Sequence, residues 1–378
     1  MPKAITMQKI EGGKPGQVYY PLNLTNHPTP PLTPTSLLIQ IHTAALNHRD
    51  LFLRQHLYPS PSFTTPLLAD ACGIVSQIGS KADEKWLGKR VILTPGRGWR
   101  DDPFGPEDVD GYKILGGTSS VPIGTLIEEV VIEQEEVEEA PSHLSDVEAA
   151  ALPLVGLTAW RALVVKGGEG NIGTGKNILI TGIGGGVALS VLLFAVALGS
   201  NVFVTSGDVE KIEKAKVLGA KGGVSYKSDG WEKELKGLLK GFGKGKLDLI
   251  IDGAGGDIVR RATKLLKLGG TIVQYGMTLS PKMDWSMSAN LMNLELKGST
   301  MGSRKEFKEM INFVNERKIK PVISRVVKGI DNLSEIDELF GMMKVGSQFG
   351  KLVVVVKGEG EEGEGKEEGE GGKVGSKL

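Results

Sequence analysis

A chain of 378 residues that is 40% hydrophobic and 24% charged has the make-up of an ordinary globular protein with room for two domains. Its 45 lysines and arginines balance 45 aspartates and glutamates, so no net field draws it to nucleic acid or to an anionic membrane surface. The single cysteine, Cys72, excludes an internal disulfide and a multi-cysteine metal cluster, and reads as a small buried apolar residue. MPKAITMQKIEGG at the start lacks the apolar core of a secretory signal, and no apolar run reaches the roughly 20 residues needed to cross a bilayer.

Residues 1 to 154 are rich in short strands and turns. Strands are expected at Ser36 to Ala45, Gly73 to Ile78 and Lys89 to Leu93, with prolines bunched between Pro21 and Pro34. The next stretch, Asn177 to Ala220, reads as one strand, glycine turn, helix and strand. Asn177 to Thr181 is apolar like a buried parallel strand, and Gly182, Gly184, Gly185 and Gly186 form a turn that residues bearing a Cβ cannot make. From Val187 to Leu198 the chain is apolar on every face, as a helix wedged against a sheet must be; Gly199 ends it and Asn201 to Thr205 follows as a strand. Such a unit brings backbone N–H groups and the positive end of a helix dipole to a pyrophosphate, and marks a dinucleotide site. Ala188 stands at the last glycine position of the pattern and still permits close helix packing.

About 20 residues after the glycines an NAD enzyme places an acid for the ribose 2′-hydroxyl, and this chain has Ser206 there. Ser206 can donate a hydrogen bond to a 2′-phosphate, and Lys211, one turn into the following helix, supplies positive charge, so NADPH is the expected cofactor. Asp208 is the competing group if its loop folds inward. Further units follow: Gly222 to Tyr226, Leu247 to Asp252, a helix around Ile258 to Leu268, then Thr271 to Tyr275 and Leu294 to Ser299. Strand alternating with helix gives an α/β fold, a doubly wound parallel sheet of the Rossmann kind, with Gly253, Gly255, Gly256, Tyr275 and Gly276 at the strand ends beside the nicotinamide half.

From Lys357 onward a Gly/Glu/Lys tract has almost nothing to bury and is expected to be a disordered tail. It ends in Ser376, Lys377 and Leu378, a tripeptide that the peroxisomal import receptor reads, so the expected location is the peroxisome, or otherwise the cytoplasm.

The runs LPLVGLTAWRAL (152 to 163), GGGVA and IIDGAGG (250 to 256) resemble the zinc-independent, quinone oxidoreductase-like branch of the medium-chain dehydrogenase/reductase superfamily. NHRDLFLRQHLYP, GGVSYKSDGWEKEL, YGMT and GSTMGSRKEF are similar to fungal zinc-type alcohol dehydrogenase-like proteins. The resemblance extends to Val356 and implies a GroES-like catalytic domain built from residues 1–154 and 302–356 around a Rossmann domain of residues 155–301, with 357–378 as the tail. It also implies a homodimer. Matched to the zinc branch, Asn47 stands at the first cysteine and Ala69-Asp70 at His-Glu, so no metal is assigned; His42, His48 and Asp50 form a sequence cluster without a cysteine or a fourth ligand.

Without a metal, charge on the reduced substrate must be stabilised by hydrogen bonds or relieved by a proton, which suits conjugated acceptors. Asn47 and Tyr58 are the catalytic candidates, with His48 and Asp50 in the substrate pocket. Asn47, Asp50 and Tyr58 resemble the segment of mitochondrial 2-enoyl thioester reductases in which the last tyrosine donates the proton. Packing under the Pro59 and Pro61 turn is the alternative role for Tyr58. The expected activity is NADPH-dependent reduction of quinones or α,β-unsaturated aldehydes and ketones. A peroxisomal enoyl-CoA reductase and a non-catalytic NADPH-binding sensor or structural protein are the other readings.

Overall fold

The computed structural model describes residues 1–280 and 282–357; the Gly/Glu/Lys tract and Ser376, Lys377 and Leu378, with the address expected of them, lie outside the described residues. A seven-stranded sheet organises the β-rich part, and its central strand Ser36–Ala45 has the bounds expected from its alternation. That strand pairs antiparallel with Asp70–Ile78 on one side. On the other it pairs with Glu129–Glu133 near its start and with Lys351–Val355 near its end. Residues 323–355 therefore close the sheet that the first part of the chain begins.

The second sheet has six strands, all parallel, in the spatial order Gly222–Ser225, Asn201–Ser206, Asn177–Ile180, Leu247–Asp252, Leu266–Gln274, Glu295–Gly298. The order reverses at Asn177–Ile180, so the glycine turn that follows this strand sits at the switch point where a doubly wound sheet opens a crevice. Every residue of Asn177–Ile180 is buried, and helix Gly186–Ala197 sinks Leu189, Val191, Leu192 and Phe194 against it. Among the described residues no helix is long and apolar enough to cross a membrane.

One element differs from the sequence expectation. The helix expected to reach Leu268 ends at Leu265 because Leu266 adopts extended backbone and pairs with Leu247, lengthening the next strand to Leu266–Gln274. The segment expected to return to the β-rich domain from about residue 302 touches both parts: the N–H groups of Arg304 and Lys305 donate to Trp99 O and Arg100 O at 3.1 and 2.9 Å. Helix Arg304–Arg317, opened by reciprocal capping between Ser303 and Glu306, sets Phe313 against Phe194 of the nucleotide helix at 5.9 Å, and only Ile323–Lys328 rejoins the seven-stranded sheet.

Candidate active site

The glycine turn is shaped for a bound dinucleotide. Gly182 (φ +65°) and Gly184 (φ +128°) occupy backbone conformations that a Cβ disfavours. A Cβ on Gly182 or Gly185 would meet nothing within 4 Å, whereas one on Gly186 would lie 2.8 Å from Val155 Cγ1 and 3.0 Å from Lys351 Cδ. The helix start is thus held tightly from behind and left open in front. No side chain caps it, so the N–H groups of Gly186, Val187 and Ala188 point into that space. Gln348 lines the same space and its buried Oε1 has no hydrogen-bond partner among the described residues, which leaves an acceptor for a ribose hydroxyl or an amide. These residues fit a dinucleotide. The loop carrying Gln348 is fastened over the turn by a hydrogen bond from Gly350 N–H to Gly184 O, 3.0 Å.

Beyond Gly184 a cavity of about 580 Å³ runs past the end of strand Asn201–Ser206. Ser206 and Lys211 both line it. The Lys211 ammonium donates to Gly346 O at 2.6 Å, which leaves two of its three donors, and burial pushes it below the usual lysine value. Asp208 lines the cavity too, but one of its carboxylate oxygens caps helix Val209–Val217 by accepting Glu210 N–H at 2.9 Å. Sequence reading missed Tyr226 and Lys227. Strand Gly222–Ser225 runs parallel beside Asn201–Ser206 with Ser206 opposite Ser225, which sets Tyr226 and Lys227 next to Gly207. The signal was present in the strand spacing, since residues just past the ends of adjacent parallel strands are neighbours.

In the other direction the space continues into a cavity of about 430 Å³ lined by Asn47, His48, Tyr58, Gly253, Tyr275 and Gly276 among others. Apolar walls come from Phe52, Leu154, Ile114 and Met301. Tyr58 is half-buried, with the Arg49 guanidinium 4.7 Å above its ring centroid, and its hydroxyl has no hydrogen-bond partner among the described residues. His48, first in helix His48–Arg54, faces the cavity with its ring edge-on to Phe52 at 4.5 Å, and the surrounding walls push its imidazole below the usual histidine value. Gly253 is held under Tyr275, whose hydroxyl oxygen would be 2.4 Å from any Cβ added there.

Asn47 precedes that helix, but its side chain turns away from it. Nδ2 donates to Asp70 Oδ2 at 2.9 Å and Oδ1 accepts from Lys351 Nζ at 2.7 Å, all three residues being buried. Lys351 escaped sequence reading because it lies in the apolar run GKLVVVV, where a lone lysine was the only signal.

Asp50 corrects the expectation that it lines the substrate pocket. It is fully buried behind the helix, accepting Asn47 N–H at 2.8 Å and Arg49 Nη1 at 3.1 Å. The suspected cluster with His42 and His48 is also dispersed, for His42 Nδ1 sits 2.7 Å from Asp146 Oδ2. Among the described residues no three His, Cys, Asp or Glu side chains are placed to hold a metal ion. Where the zinc branch would bind its ion, the Lys351 ammonium already contacts Asn47 Oδ1 and, at 3.0 Å, Asp70 Oδ2, so the donor set does not fit zinc.

Two family models match the chain, the alcohol dehydrogenase GroES-like domain over residues 33–142 and the zinc-binding dehydrogenase over residues 186–316. The chain is 51% identical to the zinc-type alcohol dehydrogenase-like protein YogA of Leptosphaeria maculans, across 94% of its own length and 100% of that protein. It belongs to the medium-chain dehydrogenase/reductase family. Another medium-chain relative, an acryloyl-coenzyme A reductase of Sulfurisphaera tokodaii, is 27% identical over 86% of this chain and 94% of its own. A crystal structure of an NAD-dependent alcohol dehydrogenase matches with a TM-score of 0.79 at 28% identity, covering 94% of this chain and 100% of that one. The medium-chain fold expected from the sequence is therefore present, and the protein is an oxidoreductase of that family.

Within this medium-chain scaffold Asp50 makes stability depend on pH. Burial pushes its carboxyl up to about 6, against the opposing pull of Arg49. The folded protein then holds the proton more tightly than the unfolded chain. The stabilisation is complete below the ordinary carboxylate value of 3.8 and is lost as pH rises through about 6. Asp50→Asn removes this titration. Between pH 4 and 6 the unfolding free energy of the unaltered protein, followed by denaturant titration, is expected to lose on the order of 3 kcal/mol relative to that of the variant as pH rises. Equal slopes for the two proteins would show that Asp50 does not titrate there.

Proposed function

We propose that this medium-chain oxidoreductase uses NADPH to reduce a conjugated carbonyl acceptor, a quinone or an α,β-unsaturated aldehyde, ketone or thioester, without zinc. The observation that carries the reading is the Tyr58 hydroxyl, unpaired in a cavity that also holds the Asn47 amide and opens onto the glycine turn. A dihydronicotinamide bound along that turn supplies the hydride. Asn47 orients the acceptor's oxygen, the apolar walls exclude water, and Tyr58 delivers a proton to carbon. Ser206, Lys211, Tyr226 and Lys227 support NADPH over NADH, since together they offer hydroxyls and ammonium groups where a 2′-phosphate would sit. The likeness to an acryloyl-coenzyme A reductase favours a thioester among the acceptors.

The test is NADPH oxidation with 1,4-benzoquinone, trans-2-hexenal and a trans-2-enoyl-CoA. Turnover of at least one is expected, and dialysis against chelator should leave it unchanged. NADPH binding without turnover of any acceptor would turn the reading to a sensor. Activity abolished by chelator and restored by zinc would overturn the metal-free part.

A further inference from the structure

We propose that Lys351 and Asp70 lock the Asn47 amide in one orientation, so that its second Nδ2–H is held as the hydrogen-bond donor to the oxygen of the acceptor. The inference rests on the conjugated-carbonyl reading for its substrate, while the lock itself is a property of the protein alone.

The Lys351 ammonium is only a donor, and its three contacts account for its three protons: Leu46 O at 2.7 Å, Asn47 Oδ1 at 2.7 Å and Asp70 Oδ2 at 3.0 Å. An ionised Asp70 is only an acceptor, and it takes Leu154 N–H at 2.9 Å on Oδ1 and Asn47 Nδ2 at 2.9 Å on Oδ2. Flipping the amide would set its NH2 against the ammonium and its oxygen against the carboxylate. Asn47 and Lys351 are each 4% exposed and Asp70 is 0% exposed, so water is not at hand to relieve either clash. One valence remains, the second Nδ2–H, on a residue that lines the substrate cavity. The ammonium on the amide oxygen polarises the group and strengthens that N–H as a donor. The Lys351 stem packs beneath Gly186, which places the lock under the start of the nucleotide helix.

A dihydronicotinamide held along the glycine turn would supply a hydride, with its electron pair, to the β-carbon of the acceptor. The C=C pair moves to join the α-carbon and the carbonyl carbon, and the carbonyl π pair goes to oxygen. That oxyanion takes the Asn47 N–H as a hydrogen bond, and a proton added at the α-carbon restores the carbonyl. Asn47 touches the reacting atoms, whereas Lys351 and Asp70 are positioning residues.

Lys351→Met alone would leave Asp70 charged and unpaired, so it is combined with Asp70→Asn, whose amide keeps its oxygen on Leu154 N–H and turns its NH2 to Asn47, removing both groups that hold the Asn47 amide in its present orientation. In protein carrying ¹⁵N-asparagine, with no cofactor or substrate, the Asn47 proton bonded to Asp70 should be protected from solvent exchange while its geminal partner exchanges. That protected proton should be lost in the double variant, where residue 70 no longer offers Asn47 Nδ2 an acceptor. Equal exchange in the unaltered protein would overturn the lock. In kinetics, Asn47→Ala should lower kcat about 100-fold and the double variant about 10-fold, with the NADPH Kd held within about twofold in both. Adding the double variant to Asn47→Ala should cost less than about a further twofold, because both act through one amide. Effects that multiply, or a double variant with unchanged kcat, would overturn the positioning role. If no conjugated carbonyl is turned over while the two amide protons still differ, the substrate reading has failed and the orientation of Asn47 stands.

Discussion

Tyr58→Phe is expected to lower kcat for a 2-enoyl thioester by roughly 10²- to 10⁴-fold while NADPH binding is unchanged. The change keeps the ring beneath Arg49 and removes only the hydroxyl, which has no partner among the described residues, so no buried group is orphaned and stability should hold. An enolate must receive its proton at carbon, where delivery by a positioned donor matters most. A quinone can take its protons from solvent at oxygen after reduction, and should lose much less. Rates for both acceptors with the unaltered and variant proteins give the contrast directly. A loss below about threefold for both would return Tyr58 to a packing role under Pro59 and Pro61 and leave the proton to a water.

Ser206→Asp is expected to reverse the preference of the protein between NADPH and NADH. The side chain stands at the end of its strand in the cavity shared with Lys211, Tyr226 and Lys227, so a carboxylate there would face a 2′-phosphate with like charge and a ribose 2′-hydroxyl with an acceptor. The expected swing in the ratio of the two dissociation constants is about 1 to 3 kcal/mol, or roughly 5- to 150-fold. Fluorescence titration of both cofactors with both proteins measures it. Equal or tighter NADH binding by the unaltered protein would defeat the NADPH assignment at the outset.

The nucleotide half was legible in the chain because its signals are local. Ile178, Leu179 and Ile180 form an apolar run, the glycines need conformations that only they hold at low cost, and the next strand begins where the helix must end. Ser206 could be placed by counting from those glycines. The strand at Leu247–Asp252 was legible too, from its apolar centre Leu249, Ile250 and Ile251, all buried between the layers. Helix and strand near Leu266 were misjudged because leucine suits either, and only the neighbour Leu247 decided between them.

The sequence by itself determined the sheet that binds the dinucleotide, the family, and the loop that carries Asn47 and Tyr58. Only the tertiary structure decided what Asn47 does with its side chain, that Asp50 is buried behind the helix instead of lining the pocket, and that Tyr226 and Lys227 join Ser206. The physical reason is range. Glycine turns and apolar runs express constraints within a few residues, whereas the lock on Asn47 is built by Asp70 and by Lys351, more than 300 residues away along the chain, brought to one point when strand Lys351–Val355 pairs with Ser36–Ala45.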